Sequence, residues 1–288
     1  MPDTISRFTF DDNPLRGEFV QLEHSYQELL AIHHYPPVVA GLLGELSAAA
    51  SLLAETIKFD GTLTLQVRSE GEIPLLMAEI SNQQHFRAIA RRAEHASSTD
   101  FATLFHKGQL CLTIQPRLGK PYQGIVALNG NNLASSFDDY FAQSEQLPTR
   151  IFLCADGERA AGFLLQQMPV AAGESAETQE SAWSHLSQLA ATLKADELLQ
   201  LPREELLYRL YHQEALRLHL EKPVQFQCTC SRERLEQVLE SLGRVELDSI
   251  LDEKGLIDVN CEFCNRFYSF SHTDVAAIFG DGEGISRH

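Results

Sequence analysis

Thr62-Leu63-Thr64-Leu65-Gln66-Val67 alternates polar and apolar residues over six positions. A period of two is that of a half-buried strand, with Leu63, Leu65 and Val67 on one face. Asp60-Gly61, just before it, is a turn signal. Upstream, Ile5–Phe10 and Glu18–Leu22 read as strands. A helical stretch starts near Ser25, Pro36-Pro37 interrupts it, and a second helix runs to about Ile57. Downstream, Leu75–Ile80, Leu110–Ile114, Gly124–Leu128 and Ile151–Cys154 read as further strands, and Ala161–Met168 as the last. A helix over Phe137–Glu145 is inserted among them. The sheet dominates, which predicts an α+β fold: a mainly β N-terminal domain with helices, residues 1–172.

The composition then shifts. Ala171-Ala172-Gly173-Glu174-Ser175-Ala176-Glu177 is small and polar, as linkers are. Beyond it Trp183, Leu186, Ala190 and Leu193 repeat at helical spacing. Leu201-Pro202 breaks that helix, and Pro202 can open the next, whose face carries Leu206, Leu207, Leu210 and Tyr211. The spacing predicts a helical linker over residues 173–226, without strand partners, whose apolar faces dock on the first domain. A small third domain, residues 227–288, alternates helix and hairpin signals. Ser231 can cap a helix bearing Leu235, Val238, Leu239 and Leu242 and ended by Gly243. A second carries Leu247, Ile250 and Leu251 and ends at Gly255. Leu256–Asn260 and Phe267–Phe270 read as a strand and its return, and Thr273 as the cap of a final helix through Phe279.

The chain of 288 residues is 44% hydrophobic, enough to bury a sizeable core, and its formal charge of -17 repels phosphate backbones. Residues 228–288 carry twelve carboxylates against six basic side chains, unlike a DNA-reading module. The expectation is a protein that binds no nucleic acid. Met1-Pro2-Asp3-Thr4-Ile5-Ser6-Arg7-Phe8 lacks the basic region and apolar run of a secretory signal. The longest apolar run, Val38–Ala54, is broken by Gly41, Gly44 and Glu45 and reads as a buried helix rather than a membrane span. A cytoplasmic protein with no membrane contact is expected. No G-x-x-x-x-G-K-[ST] loop, G-x-S-x-G elbow or strand-borne G-x-G-x-x-G supports ATP-driven or hydrolytic chemistry, so no enzyme is predicted. Gly280-Asp281-Gly282-Glu283-Gly284 reads as a flexible tail.

Four of the six cysteines come in two tight pairs, Cys228-Thr229-Cys230 and Cys261-Glu262-Phe263-Cys264, thirty residues apart. Where thiols stay reduced, such pairs are more often metal ligands or redox groups than permanent disulfides. Zinc takes four ligands tetrahedrally, and a C-x-x-C in a hairpin turn suits one half of such a site. Small buried hydrophobes have no reason to come in pairs, and the spacing is not that of the ferredoxin iron–sulfur patterns. A purely structural zinc module remains open. Three features favour a switch. Ligating thiolates are what oxidants attack. Each pair is close enough to form its own disulfide. A domain this small depends on its metal, since structural zinc contributes on the order of 10–16 kcal/mol to finger peptides. Disulfides closing such short loops would stabilise little in its place. A thiol–disulfide oxidoreductase using Cys261 and Cys264 ranks last, because that motif usually opens a helix and has no second pair. Cys111 and Cys154 stand alone in strand contexts and read as small core residues; His33, His34 and His212 lack ligand spacing.

These residues resemble a known family, the bacterial 33-kilodalton heat-shock proteins, which are redox-regulated molecular chaperones. The likeness spans nearly the whole chain. It rests on the two cysteine pairs with Phe263 and Asn265, and on Tyr122-Gln123-Gly124-Ile125-Val126. It rests also on Asp139-Tyr140-Phe141-Ala142-Gln143-Ser144-Glu145-Gln146-Leu147-Pro148-Thr149, on Ala160-Ala161-Gly162-Phe163-Leu164-Leu165-Gln166 and on the Leu63–Gln66 strand. The resemblance implies one zinc ion on Cys228, Cys230, Cys261 and Cys264 in a reduced, inactive state. It implies that oxidants form the disulfides Cys228–Cys230 and Cys261–Cys264, that zinc leaves, and that the C-terminal domain unfolds. The linker then loosens, and the protein, a homodimer when oxidised, holds unfolded client proteins without ATP.

Overall fold

The structure, a computed structural model, describes residues 3–169 and 176–280. The polar run from Ala171, up to Ser175, and the glycine-rich tail after Gly280 lie outside the described residues. Two compact units result, with one boundary between Gln227 and Cys228.

The larger unit opens with strands β1 (Thr4–Phe10) and β2 (Leu15–Leu22) and helices α1 (His24–Leu30) and α2 (Pro37–Thr56). Strands β3 (Gly61–Arg68), β4 (Leu75–Ser81) and β5 (His85–Arg91) follow, then the short α3 (Phe101–Leu104), β6 (Gln109–Pro116) and β7 (Tyr122–Ala127). Helix α4 (Leu133–Tyr140) runs on as a π-helical turn over Phe141–Glu145 before the hairpin of β8 (Thr149–Ala155) and β9 (Ala160–Gln167). Helices α5 (Ala176–Ala190), α6 (Ala195–Gln200) and α7 (Arg203–Tyr211) lead to three short strands, β10 (Leu216–Leu218), β11 (Lys222–Pro223) and β12 (Gln225–Phe226).

These strands make two six-stranded sheets. One has the order β10-β1-β2-β9-β8, with β11 also on β1; the other has the order β12-β5-β4-β3-β6-β7. The opening stretch sits near the centre of the second sheet, with Leu63 opposite Ile80 and Ile114 on its two neighbours, and Leu63, Leu65 and Val67 are all buried. Helix α2 packs on strands of both sheets and carries much of the main core. It starts with Pro37 at its first position, where a missing N–H costs nothing, and it is apolar nearly all round, as a helix buried on all sides must be. It is long and apolar enough to cross a membrane, but 78% of its most apolar window is buried inside the protein. Gly44 lets it approach the β8–β9 hairpin, because a Cβ there would lie 2.8 Å from that of Ala155. At its end, Arg7 and Arg16 donate to the carbonyls of Glu55 and Thr56 and flank the fully buried Glu18. That satisfies acceptors the helix leaves open.

A second cluster lies on the other face of the first sheet. Phe8, Phe10, Phe19, Phe163 and Leu165 meet Leu186, Leu198, Leu206, Leu210 and Tyr211 from α5, α6 and α7. The apolar faces of residues 182–211 therefore dock on the sheet, as their spacing requires.

Four local expectations in the larger unit are corrected. The stretch 173–226 does carry strand partners: β10 and β11 pair antiparallel with β1, and β12 pairs parallel with β5. Strands of two or three residues are defined by their partners, and no period of two can develop within them. Strand β5 was not anticipated, because small Ala88 and Ala90 alternating with Arg87 and Arg91 make a weak pattern. The helix of Trp183 ends at Ala190, and Leu193 lies in the turn before α6 rather than continuing to Leu201. The inserted helix starts at Leu133, where Asn132 accepts from the Ser135 N–H.

The smaller unit has α8 (Arg232–Leu242), α9 (Arg244–Lys254), the hairpin β13 (Ile257–Asn260) and β14 (Phe267–Phe270), and α10 (His272–Ile278). Ser231 caps α8 by accepting from the Arg234 N–H, and Gly255 ends α9 at a φ of 79°. The cap of α10 is Ser271, in a capping box with Asp274, and not Thr273. Six side chains, Leu239, Leu247, Leu251, Ile257, Phe270 and Val275, form its buried core.

Candidate metal centre

The two cysteine pairs arrive from different elements of the smaller unit. Cys228-Thr229-Cys230 directly precedes the cap of α8, and Arg234 fixes it by donating to the Thr229 carbonyl at 2.9 Å and hydroxyl at 2.7 Å. Cys261 to Cys264 occupy the turn between β13 and β14. That turn closes through Asn265 N–H to the Cys261 carbonyl at 2.7 Å and Cys261 N–H to the Arg266 carbonyl at 2.9 Å. Asn265 takes a φ of 56°, a left-handed conformation that asparagine tolerates well. Backbone N–H groups of Phe263 and Cys264 point at the Cys261 sulfur, and that of Arg266 at the Cys264 sulfur.

All four sulfurs lie within 4.8 Å of one another. The shortest contacts run between the pairs: Cys228 to Cys261 at 3.6 Å and Cys230 to Cys264 at 3.4 Å. A tetrahedral zinc with Zn–S bonds near ~2.3 Å spaces its sulfurs by about 3.8 Å. The donor set and its spacing therefore fit a four-thiolate metal ion, and the described residues offer no other such cluster of histidine, cysteine or carboxylate side chains.

The electrostatics agree with that fit. Burial works against a thiolate at Cys230, but hydrogen bonds from Tyr268 and the neighbouring thiols outweigh it and bring the group down to about 7. Burial pushes Cys261 and Cys264 up, despite backbone N–H groups that favour their thiolates. Thiols this close cannot all ionise unaided, because like charges in contact raise one another. A divalent cation removes that conflict and holds thiolates that backbone donors already support.

All four cysteines read from the sequence as ligands are thus brought together. Cys111 and Cys154 are not among them, and both lie half-buried in the larger unit. Burial, with Glu45 and Asp156 nearby, pushes the Cys154 thiol up to about 12, so it has almost no thiolate at neutral pH. The C-x-x-C pair sits in a hairpin turn and not at a helix start, which removes the ground for a thioredoxin-like reading. Tyr268 was missed: its hydroxyl donates to the Cys230 sulfur at 3.2 Å. Its only sequence signal is its place on the return strand, four residues after Cys264. Arg232 was missed too. It donates to the Ser269 carbonyl at 3.0 Å, pairs with Asp274, and lies 4.4 Å from the centre of the Phe270 ring, tying α8 to β14 and α10.

Comparison with known proteins agrees over the full length. The family model described as Hsp33 protein matches residues 3–271. The 33 kDa chaperonin of Pseudomonas paraeruginosa (strain DSM 24068 / PA7) is 50% identical over 293 residues, covering 99% of each chain. That of Azotobacter vinelandii (strain DJ / ATCC BAA-1303) is 52% identical over 295 residues, again with 99% of each chain covered. The crystal structure of the 33 kDa chaperonin, or heat shock protein 33 homolog, of Thermotoga maritima has the same fold. It matches with a TM-score of 0.80 at 19% identity, covering 96% of this chain and 98% of that one. With the family model spanning both units and half of all positions shared with curated chaperonins, the chain belongs to the Hsp33 family.

Proposed function

We propose that this protein is a redox-regulated, ATP-independent holdase of the cytoplasm, binding unfolding client proteins under oxidative stress. In the reduced state one zinc ion is held by Cys228, Cys230, Cys261 and Cys264, and the protein is inactive. The observation that carries this reading is the convergence of four thiols in the unit with the smallest core. Bound there, zinc would supply the positive charge that keeps four thiolates together and ties the hairpin turn to the segment before α8.

Oxidation acts on the thiols. Each pair of thiolates gives two electrons to one peroxide, which takes up two protons from solvent and leaves as two waters, and one S–S bond forms per pair. The pairing Cys228–Cys230 and Cys261–Cys264 is supported by chain length. Sulfurs two or three residues apart meet far more often in a loosened chain than sulfurs thirty residues apart. The contacts of 3.4 and 3.6 Å run between the pairs, so disulfides within the pairs would withdraw all four sulfurs from them. Disulfide sulfurs are no longer thiolates and offer zinc no charge to bind. Residues 173–226 then act as the redox-sensitive linker, and the oxidised protein works as a homodimer.

The test follows zinc release and client aggregation together, before and after peroxide at raised temperature. Zinc loss with new suppression of aggregation is expected. Retained zinc, or lost zinc without holdase activity, would favour a structural zinc module that docks a fixed partner. Tryptic mapping checks the pairing: cleavage after Arg232 and Lys254 puts Cys228 and Cys230 on one peptide and Cys261 and Cys264 on another. Each peptide should appear two mass units light and unlinked. Cross-linked peptides would overturn the proposed pairing.

A further inference from the structure

The short strand β12 fills a slot in the larger unit that is built without it. On one side lies the edge of β5, and on the other α1. The acceptors are held by the core. Gln84 sits at a φ of 63° just before β5. Its buried amide accepts from the Ser51 hydroxyl at 2.6 Å and donates to the Ser51 carbonyl at 3.2 Å. Its own carbonyl is thereby aimed outward and accepts the Gln225 N–H at 3.0 Å, and the Phe86 carbonyl accepts the Gln227 N–H at 2.8 Å. The Ser25 hydroxyl donates to the Val224 carbonyl at 3.2 Å.

Two side chains fill the pockets. Val224, 2% exposed, and Phe226, edge-on to Phe86 with ring centroids 6.1 Å apart, both join the main core cluster, while Gln225 between them faces out. This is strand addition to a sheet edge. Backbone hydrogen bonds supply generic affinity, and pockets for alternate side chains supply selectivity. Only two of the occupant's residues pair with β5; the Val224 N–H also donates to the Asp3 carbonyl at 3.0 Å, and β11 just before it pairs with β1. Its bond through Gln227 is followed immediately by Cys228, the first of the four clustered cysteines.

We propose that this slot, the β5 edge with the pockets now filled by Val224 and Phe226, is a client-binding site. Its ligand is an extended segment of an unfolding protein with uncharged apolar residues at alternate positions, entering parallel to β5. Residues 224–226 are the built-in occupant. The proposal rests on the redox reading above. Strand β12 belongs to residues 173–226, the linker that the redox reading loosens on oxidation; once its bonds to β5 are lost it stays tethered through residues 212–223, and an outside segment must compete with it for the slot.

The experiment uses the full chain and a fluorescent peptide of residues 222–227, with a control peptide carrying serine in place of the valine and phenylalanine. Anisotropy is read for the peroxide-oxidised and the reduced, zinc-loaded protein, and amide exchange is followed over His85–Ala88. The oxidised chain should bind the peptide at least tenfold tighter than the reduced chain does, and at least tenfold tighter than it binds the control, with exchange slowed at β5. Equal binding of the two peptides, no binding, or slowed exchange on the Phe8–Phe163 face instead would overturn the site. In a Phe226→Ser chain the peptide should bind without oxidation; should that chain not fold, the natural chain's two peptides decide alone. Holdase activity without this peptide site would sink the inference and leave the redox chaperone standing. Peptide binding at β5 without holdase activity would do the reverse.

Discussion

The two units hold themselves together by different means. Among the described residues, the larger has one cluster of 39 buried side chains around α2 and a second of fifteen under α5, α6 and α7. The smaller has six, and leaves Val238, Val245 and Phe267 more than half exposed. A core of six side chains gives little surplus over the entropy of ordering about fifty residues. The caps of Ser231 and Ser271 and the Arg232 contacts add to it, and a metal on the thiol cluster, as proposed, would supply what hydrophobic burial does not. A domain of this kind responds to its ligands' chemistry, whereas one built on a deep core ignores it.

The largest test of that contrast is to remove the metal's ligands. A Cys261→Ser, Cys264→Ser chain should lose the fold of the smaller unit, because structural zinc is worth on the order of 10 kcal/mol. Amide exchange at Leu251 and Phe270 should rise to unfolded rates while β3 and β4 stay protected, and apolar dye binding should increase. A smaller unit that keeps its protection would break the comparison.

Next in size are matched cavities. Leu43→Ala in α2 and Leu251→Ala in α9 each remove a fully buried side chain and should each cost about 2–5 kcal/mol. In the larger unit this lowers the melting temperature. In the smaller it should lower zinc affinity by at least tenfold in a chelator competition, as the proposed zinc site requires if metal binding and folding form one equilibrium. Equal zinc affinities in the two variants would count against that coupling.

A pH effect on stability is expected in the larger unit. Burial pushes the Glu45 carboxyl from an ordinary value of 4.5 up to about 7. The folded state holds this proton more tightly than the unfolded chain does. The stabilisation is therefore complete below the ordinary value and is lost as pH rises through about 7. Glu45→Gln should be more stable than the natural chain by about 2 kcal/mol at pH ~8 and equal to it at pH ~4, read from denaturant midpoints. A difference independent of pH would assign the effect to packing.

The smallest pair is the caps. Ser231→Ala and Asn132→Ala each delete an acceptor for a first-turn N–H and should each cost about 1 kcal/mol. Only the first should shift the peroxide concentration at half zinc release.

Much of this was legible in the chain because it is written in neighbouring residues. Alternation marked β3, Ser231 and Gly243 bounded α8, Gly255 ended α9, and the two cysteine pairs, one of them in a hairpin turn, predicted their own meeting place. The helical spacing of Leu206, Leu207, Leu210 and Tyr211 required a docking face. Which face it was, the outer side of the first sheet, depended on Phe8 and Phe163, some 40 to 200 residues away.

Unaided, the sequence determined the mixed fold, the buried α2, the two-strand turn that carries Cys261 and Cys264, and which four cysteines cluster. Each depends on periodicity or spacing within a short window, where the chain's own geometry sets which side chains share a face. Tertiary structure alone decided the pairing of β10, β11 and β12, the hydrogen bond from Tyr268 to Cys230, and the slot at the β5 edge. Strands of two or three residues have no period to read. Their conformation is set by hydrogen bonds to partners more than a hundred residues away, and those exist only once the sheets have formed.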